Sequence, residues 1–316
     1  MSFSTKTKDE LAHLFTEKNC CEVAELAALI RMNGTITIGS QQHVSLIATT
    51  GSSPVARKIF RLFKKTYNLE PEIRIQRRNR FKKSNCYSVY LNDTIEVRSI
   101  IKELGVLNED GNLVQGISQK LIKSKCCRRS YLRGAFLGAG SVSDPGGNYH
   151  LELVANNEIY AYDLAALMNT FLEIQAKVGI RKNLYIVYLK ESEQIVSFLS
   201  VVGAHTALLD FENVRIVKGM RNKVNRLVNC DTANLKKSVD ASLKQIEHIK
   251  LIDSVIGLDK LALRLREVAR LRLENPDISL KELGEMMKPV VGKSGINHRF
   301  RKIELIANDL RGKNFQ

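Results

Sequence analysis

Leu132-Arg-Gly-Ala-Phe-Leu-Gly-Ala-Gly140 decides how this chain is read, because an altered copy stands upstream at Leu26-Ala-Ala-Leu-Ile-Arg-Met-Asn-Gly34. Small residues (Ala24, Ala27 and Ala28; Gly134, Ala135 and Gly138) alternate with bulky ones at helical spacing in both copies, a pattern that lets two backbones approach closely. Each copy reads as a short packing helix, closed by a Gly in the left-handed conformation that ends many helices. A β-prone run follows each of them.

Working outward, the first copy is preceded by a helix expected over 7–20, with Leu11, Leu14 and Phe15 on one face. It is followed by β-prone runs at 35–38 and 44–49 around the polar turn Gly39-Ser-Gln-Gln42. Ser53 before Pro54 predicts a capped helix start. Val55, Ile59, Leu62, Phe63 and Tyr67 form its apolar stripe, with Arg57, Lys58, Arg61, Lys64 and Lys65 on the other side. Strands at 72–76 and 85–91 flank Arg77-Arg-Asn-Arg-Phe-Lys-Lys83, the densest basic stretch of the chain, and a helix at 94–104 ends at Gly105. From residue 128 the order returns: the packing helix, a strand at 149–155, a helix at 159–171, a strand at 184–189 and a helix at 194–202 ending at Gly203. Cys86-Tyr-Ser-Val-Tyr-Leu91 matches Leu184-Tyr-Ile-Val-Tyr-Leu189. The fold class is therefore α+β, two pseudo-repeated αββαββα units whose packing helices meet at a pseudo-twofold axis. The late segments are offset by 98 residues and the early helices by 106, so the basic loop is an insertion peculiar to the first repeat.

The last third is helical. Leu235, Val239, Leu243 and Ile246 continue an apolar stripe toward a terminal domain, and a helix is expected over 258–274, stopped at Asn275-Pro276. Ser279-Leu-Lys-Glu282 is a capping box. Leu280, Leu283 and Met287 face inward from the short helix it starts, Pro289 and Gly292 make a turn, and Ile296, Phe300 and Ile303 mark a second helix. That is the pattern of an all-α helix-turn-helix. Lys293, Ser294, Asn297, His298, Arg301 and Lys302 remain on its other faces, chemically suited to DNA: Asn297 to adenine, Arg301 to guanine, Lys293 and Lys302 to phosphate. The expected divisions are 1–20, an opening helix; 21–107 and 128–211, the repeats, with 108–127 linking them; 212–250, a basic helical connector; and 251–316, the helix-turn-helix.

Composition agrees with a polyanionic partner. Lys and Arg number 49 against 33 Asp and Glu, a net charge of +16. Within residues 57–83, Arg77, Arg78, Arg80, Lys82 and Lys83 form a basic hairpin loop read as contacting phosphates. The first 30 residues hold no long apolar run, so neither a signal peptide nor a membrane span is expected and the chain is placed in the cytoplasm, associated with the nucleoid. The six cysteines (20, 21, 86, 126, 127, 230) include two adjacent pairs but neither C-x-x-C nor zinc-spaced histidines, and no metal or cofactor is expected.

The repeated nonapeptides resemble those of the LAGLIDADG homing endonucleases. The resemblance implies two packing helices side by side, sheets forming a saddle over DNA, and an acid at the eighth motif position to bind a divalent metal. Asn33 and Ala139 stand there, so the metal positions are vacated and the core is expected not to cut. Over nearly the whole chain the closer resemblance is to the WhiA family of Gram-positive bacteria. It is carried by Tyr131-Leu-Arg-Gly-Ala-Phe136 with Gly138 and Gly140-Ser-Val142, by Asn225-Arg-Leu-Val-Asn-Cys-Asp-Thr-Ala-Asn234, and by Lys293-Ser-Gly-Ile-Asn-His-Arg299. That family implies a non-enzymatic DNA-binding protein acting in sporulation gene expression, cell division or chromosome segregation, with double-stranded DNA and cell-division or transcription proteins as partners. Two other readings stay open: a metal-dependent endonuclease using a displaced acid such as Asp144, and a core turned into a protein or ligand interaction module.

Overall fold

The computed structural model describes residues 1–38, 44–78, 84–91 and 95–313, with the side chains of Ile38, Arg78, Ser84, Ile95 and Lys313 left aside. It divides into two compact units, Met1–Lys218 and Gly219–Gln316.

In the first unit, α1 (Phe3–His13) precedes α2 (Asn19–Asn33), β1 (Gly34–Ile38), β2 (Val44–Thr50), α3 (Ser53–Tyr67), β3 (Glu72–Arg78), β4 (Ser84–Leu91) and α4 (Ile95–Glu103). A 3₁₀ turn at Gln119–Ile122 leads to the second set: α5 (Lys125–Ala139), β5 (Gly140–Val142), β6 (Leu151–Ala155), α6 (Glu158–Met168), β7 (Lys177–Arg181), β8 (Leu184–Leu189) and α7 (Ser192–Val202). The two antiparallel sheets have the same order, β1-β2-β4-β3 and β5-β6-β8-β7. Alternation in β2 and β6 puts Leu46, Ala48, Leu151 and Leu153 against the helices and turns Ile47, Thr49, Glu152 and Val154 to the other side. The opening helix begins earlier than its apolar spacing suggested, because Ser2 caps it, its Oγ accepting from Thr5 N at 3.2 Å, and it ends sooner, where Leu14 turns extended.

The seam is α2 against α5. A Cβ on Gly134 would stand 2.3 Å from the Glu25 carbonyl oxygen, and one on Gly138 would stand 2.5 Å from Met32 Cβ and Asn33 Oδ1. Successive contacts advance in the same direction along both chains, so the helices run parallel. Gly34 and Gly140 are not left-handed stops: both are extended (φ −84° and −81°) and lead straight into β1 and β5. They are needed for space instead, since a Cβ at Gly34 would lie 2.4 Å from the Ile30 carbonyl oxygen. Gly105 and Gly203 do adopt positive φ, 65° and 91°.

Two side-chain assignments change. Ser53 is the first residue of α3 rather than its cap, and its hydroxyl accepts from Arg57 Nη2 at 2.9 Å. Lys58 leaves the solvated face and is buried with Glu25 and Arg133 inside the seam. Its Nζ lies 2.6 Å from Glu25 Oε1 and donates to the carbonyls of Leu11 (2.8 Å) and Leu14 (2.6 Å). Arg133 completes the cluster with a bidentate pair, Nε to Oε1 at 3.0 Å and Nη2 to Oε2 at 2.8 Å. Burial lowers the Lys58 pKa, and Glu25 opposes that shift.

Helix α8 (His205–Ile256) contains the whole basic stretch 212–250, and the unit boundary falls within it. In the second unit it is followed by a 3₁₀ turn (Leu258–Lys260), α9 (Leu263–Glu274), α10 (Leu280–Glu285) and α11 (Lys293–Lys313). The helix expected over 258–274 is thus divided after Lys260. Leu235, Val239 and Leu243 are exposed, contrary to the stripe read for them, and the unit's core begins at Ile249 and Ile252. These pack with Val268, Ala269, Leu283, Ile296, Phe300 and Ile303. Arg272 is buried with no acid paired to it among the described residues: it donates to Gln245 Oε1 (3.1 Å) and the carbonyls of Asn275, Pro276 and Ile278 (3.3, 3.3 and 2.8 Å), and lies over the Phe300 ring.

Candidate nucleic-acid interface

The second unit presents one polar helix face. The capping box forms as the sequence predicts, with Glu282 N donating to Ser279 Oγ (3.3 Å) and Ser279 N to Glu282 Oε2 (2.7 Å). The turn after α10 folds back so tightly that a Cβ on Gly284 would stand 2.0 Å from the Val291 carbonyl oxygen. α10 therefore braces the start of α11. Ile296, Phe300, Ile303 and Ala307 bury one side of α11. Lys293, Ser294, Asn297, His298 and Arg301 lie within a ~140° arc on the other side at 3.6 residues per turn, and Lys302 flanks it. All six are exposed, and no hydrogen bond or ion pair with another described residue holds any of them. Such unpartnered donors are what base edges and phosphates require.

Two further lysines join this surface that spacing along the chain did not reveal. Lys237 of α8 and Lys281 of α10 line a cavity of about 600 Å³ together with Lys293 and the hydroxyls of Ser238, Ser242 and Ser279. They are 44 to 56 residues apart or separated by a turn, so only the folding of the second unit brings them to one cavity. Lys281 has one distant acid, Glu285 Oε1 at 3.9 Å.

The first unit is less basic in its described part. Arg74 is bound by Glu72 (2.8 Å from Nε and from Nη2) and lies over Tyr90 with its guanidinium carbon 4.4 Å from the ring centroid. Arg77 is exposed. The β3–β4 register puts it on the same side of this edge strand as Ile73 and Ile75, while Arg74 lies on the opposite side. Arg78 ends β3, and Arg80, Lys82 and Lys83 lie outside the described residues. On the second sheet Glu152 gathers His150 Nε2 (2.9 Å) and Arg181 (3.6 Å).

The vacated motif positions lie at the C-terminal end of the seam. Asn33 donates through Nδ2 to the Thr49 carbonyl at 2.9 Å, and its Oδ1 is buried without a hydrogen-bond partner. A cavity of about 450 Å³ opens there, lined by Lys8, Asn33, Thr49, Thr50, Ser52 and Asn85 among others. Among the described residues its lining holds no carboxylate, and it holds a cation: burial brings the Lys8 pKa down to about 8. Asp144 is not part of it. That acid is exposed in a turn, where Oδ1 accepts from Gly146 N at 2.9 Å.

Three family models match the chain in order: the WhiA N-terminal LAGLIDADG-like domain over residues 19–107, the WhiA LAGLIDADG-like domain over 128–221 and the WhiA C-terminal HTH domain over 224–307. The chain belongs to the WhiA family. Among WhiA relatives, the probable cell division proteins of Heliobacterium modesticaldum and Desulfitobacterium hafniense (strain DSM 10664 / DCB-2) are each 53% identical, over 97% and 98% of this chain and 96% of their own length. Full-length WhiA from Thermatoga maritima, solved by crystallography, is similar at 25% identity and a TM-score of 0.58, covering 98% of this chain and 99% of that one. The degenerate LAGLIDADG-like core and the helical HTH domain are thus those of WhiA proteins. Among the described residues no helix is long and apolar enough to cross a membrane.

Proposed function

We propose that this WhiA-family chain is a sequence-preferring, non-cutting DNA-binding protein that acts in cell division and chromosome segregation and in sporulation-type transcription control, at the nucleoid. One observation carries the reading: the exposed, unpartnered face of Lys293, Ser294, Asn297, His298 and Arg301 on a helix whose other side is locked in a core. In this reading α11 enters the major groove, Asn297 and Arg301 read bases, and Lys293, Lys302, Lys237 and Lys281 hold phosphates. The basic loop of the first repeat, with Arg77, Arg78, Arg80, Lys82 and Lys83, adds backbone contacts.

The test is binding of the full chain to genomic fragments, followed by titration of a selected site. Arg301→Ala is expected to weaken the selected site by ~1–3 kcal/mol, roughly 5- to 150-fold, and to relax preference at one position. Affinity should fall about 10³-fold over a fourfold rise in salt if six phosphates are engaged. Unchanged affinity and preference in both Arg301→Ala and Asn297→Ala would refute the assignment. The competing endonuclease reading predicts nicking of supercoiled DNA with magnesium or manganese that is lost in Asp144→Ala. The commitment of Asp144 to its own turn, and Lys8 in the seam cavity, argue for intact plasmid instead.

A further inference from the structure

The two adjacent cysteine pairs, which the spacing rules for zinc motifs pass over, stand in one cluster. Cys20 and Cys21 are the second and third residues of α2, and Cys126 and Cys127 the second and third of α5. The pairs are 106 residues apart, the same offset as the packing helices themselves. Parallel packing of those helices therefore brings all four thiols to the N-terminal end of the seam, where their Sγ atoms lie within 4.8 Å of one another. Cys21 and Cys127 are buried, Cys126 is half-buried and Cys20 exposed. Among the described residues no other group of three or more His, Cys, Asp or Glu side chains is close enough to share an ion.

We propose that Cys20, Cys21, Cys126 and Cys127 bind one zinc ion as a tetrathiolate that clasps the two repeats together at the end of the seam remote from Asn33 and Ala139. Zinc–sulfur bonds of ~2.3 Å in a tetrahedron put the sulfurs ~3.8 Å apart, so the thiols close by about 1 Å or less. Four protein sulfurs fill the coordination sphere, which marks a structural site with no open position for chemistry. Soft thiolates in a tetrahedron select zinc or iron. Thiols this close surround a single ion rather than a cluster with bridging sulfides, and zinc needs no redox partner.

The surroundings suit the charge. Four thiols and Zn²⁺ give a complex of charge −2 and release four protons. Both helix N-termini carry partial positive charge toward that complex. Neither helix has a side-chain cap, although Ser124 at the head of α5 is a residue that ordinarily supplies one, so the first-turn amides of α5 remain available to sulfur, whereas in α2 the Cys21 amide already donates to the Lys18 carbonyl at 3.0 Å.

The experiment is metal analysis of the full chain purified and dialysed under reducing conditions, then reconstituted with zinc. About one zinc per chain is expected for wild type and for Cys86→Ser/Cys230→Ser, and at least a tenfold loss for Cys20→Ser/Cys126→Ser, which alters the two more accessible sulfurs. Chelation should lower the Tm of wild type and leave that of Cys20→Ser/Cys126→Ser unchanged. Cobalt(II) titration of wild type supplies a readout that needs no variant, and should develop thiolate charge-transfer and tetrahedral ligand-field bands at one equivalent. Zinc below about a tenth per chain with no such cobalt bands would overturn the proposal. So would zinc that persists in Cys20→Ser/Cys126→Ser.

Discussion

Glu25 is the acid that two buried cations share in the seam, and replacing it by Gln tests how the repeats are held together. The change is nearly isosteric but removes the acid paired directly with Lys58 and Arg133, both at or below 5% exposure, and leaves Lys58 only the weaker influence of Glu22. Breaking a buried ion pair from one side typically costs 3–5 kcal/mol, because the remaining charge stays desolvated. With an m-value near 3 kcal/mol/M for a unit of this size, the urea midpoint should fall by roughly 1–2 M. The assay reads this unit alone: there is no Trp, and all nine Tyr lie between residues 67 and 188, so tyrosine near-UV dichroism follows Met1–Lys218. The deficit should depend on pH. The folded-state pKa of Lys58 is already depressed by burial, and without Glu25 it falls further. Between that value and its ordinary 10.5 the unfolded chain binds the extra proton, so stability rises with pH across the window. The deficit of Glu25→Gln should therefore shrink as pH rises from neutral toward 10.5. A midpoint within 0.3 M of wild type at pH 7, roughly 1 kcal/mol, would refute the argument.

Other consequences are simpler to check. Gly134→Ala puts a methyl against the Glu25 carbonyl and should cost ~1–3 kcal/mol by thermal unfolding, whereas Gly219→Ala, in open space within α8, should stabilise its helix by up to ~1 kcal/mol. Arg272→Met strips donors from three carbonyls and Gln245, and should destabilise the second unit by about 3 kcal/mol in helix dichroism while leaving the tyrosine transition unchanged. Lys8, lowered to about 8, binds its proton less well folded than unfolded, so it contributes stability that rises with pH between about 8 and its ordinary 10.5. In Lys8→Met the rise over that interval should be shallower than in wild type, measured by urea titration.

Much of this molecule is determined by sequence alone, wherever the determinant is local or periodic. The small-residue helices, the alternation in β2, β6 and β8, the capping box at Ser279 and Glu282, and the Ile296, Phe300, Ile303 stripe each follow from spacing of 2 or 3.6 residues. The duplicated order of elements also follows, since the two copies can be laid on each other at fixed offsets. Tertiary structure decided the rest, because burial depends on what lies opposite a residue. Lys58 has the helical phase of an exposed lysine and is buried because the Leu11 and Leu14 carbonyls and Glu25 close over it. Leu235, Val239 and Leu243 have the phase of a core and stay exposed because no element of their own unit covers them. Gly34 and Gly140 sit where helices stop, yet packing room rather than left-handed backbone explains them. The six polar residues of α11 were legible as a face, but their freedom from partners was not, nor was the arrival of Lys237 and Lys281 beside them. Most plainly, four cysteines that share the offset of the repeats become one cluster only when parallel helices bring residues 106 positions apart to the same point in space.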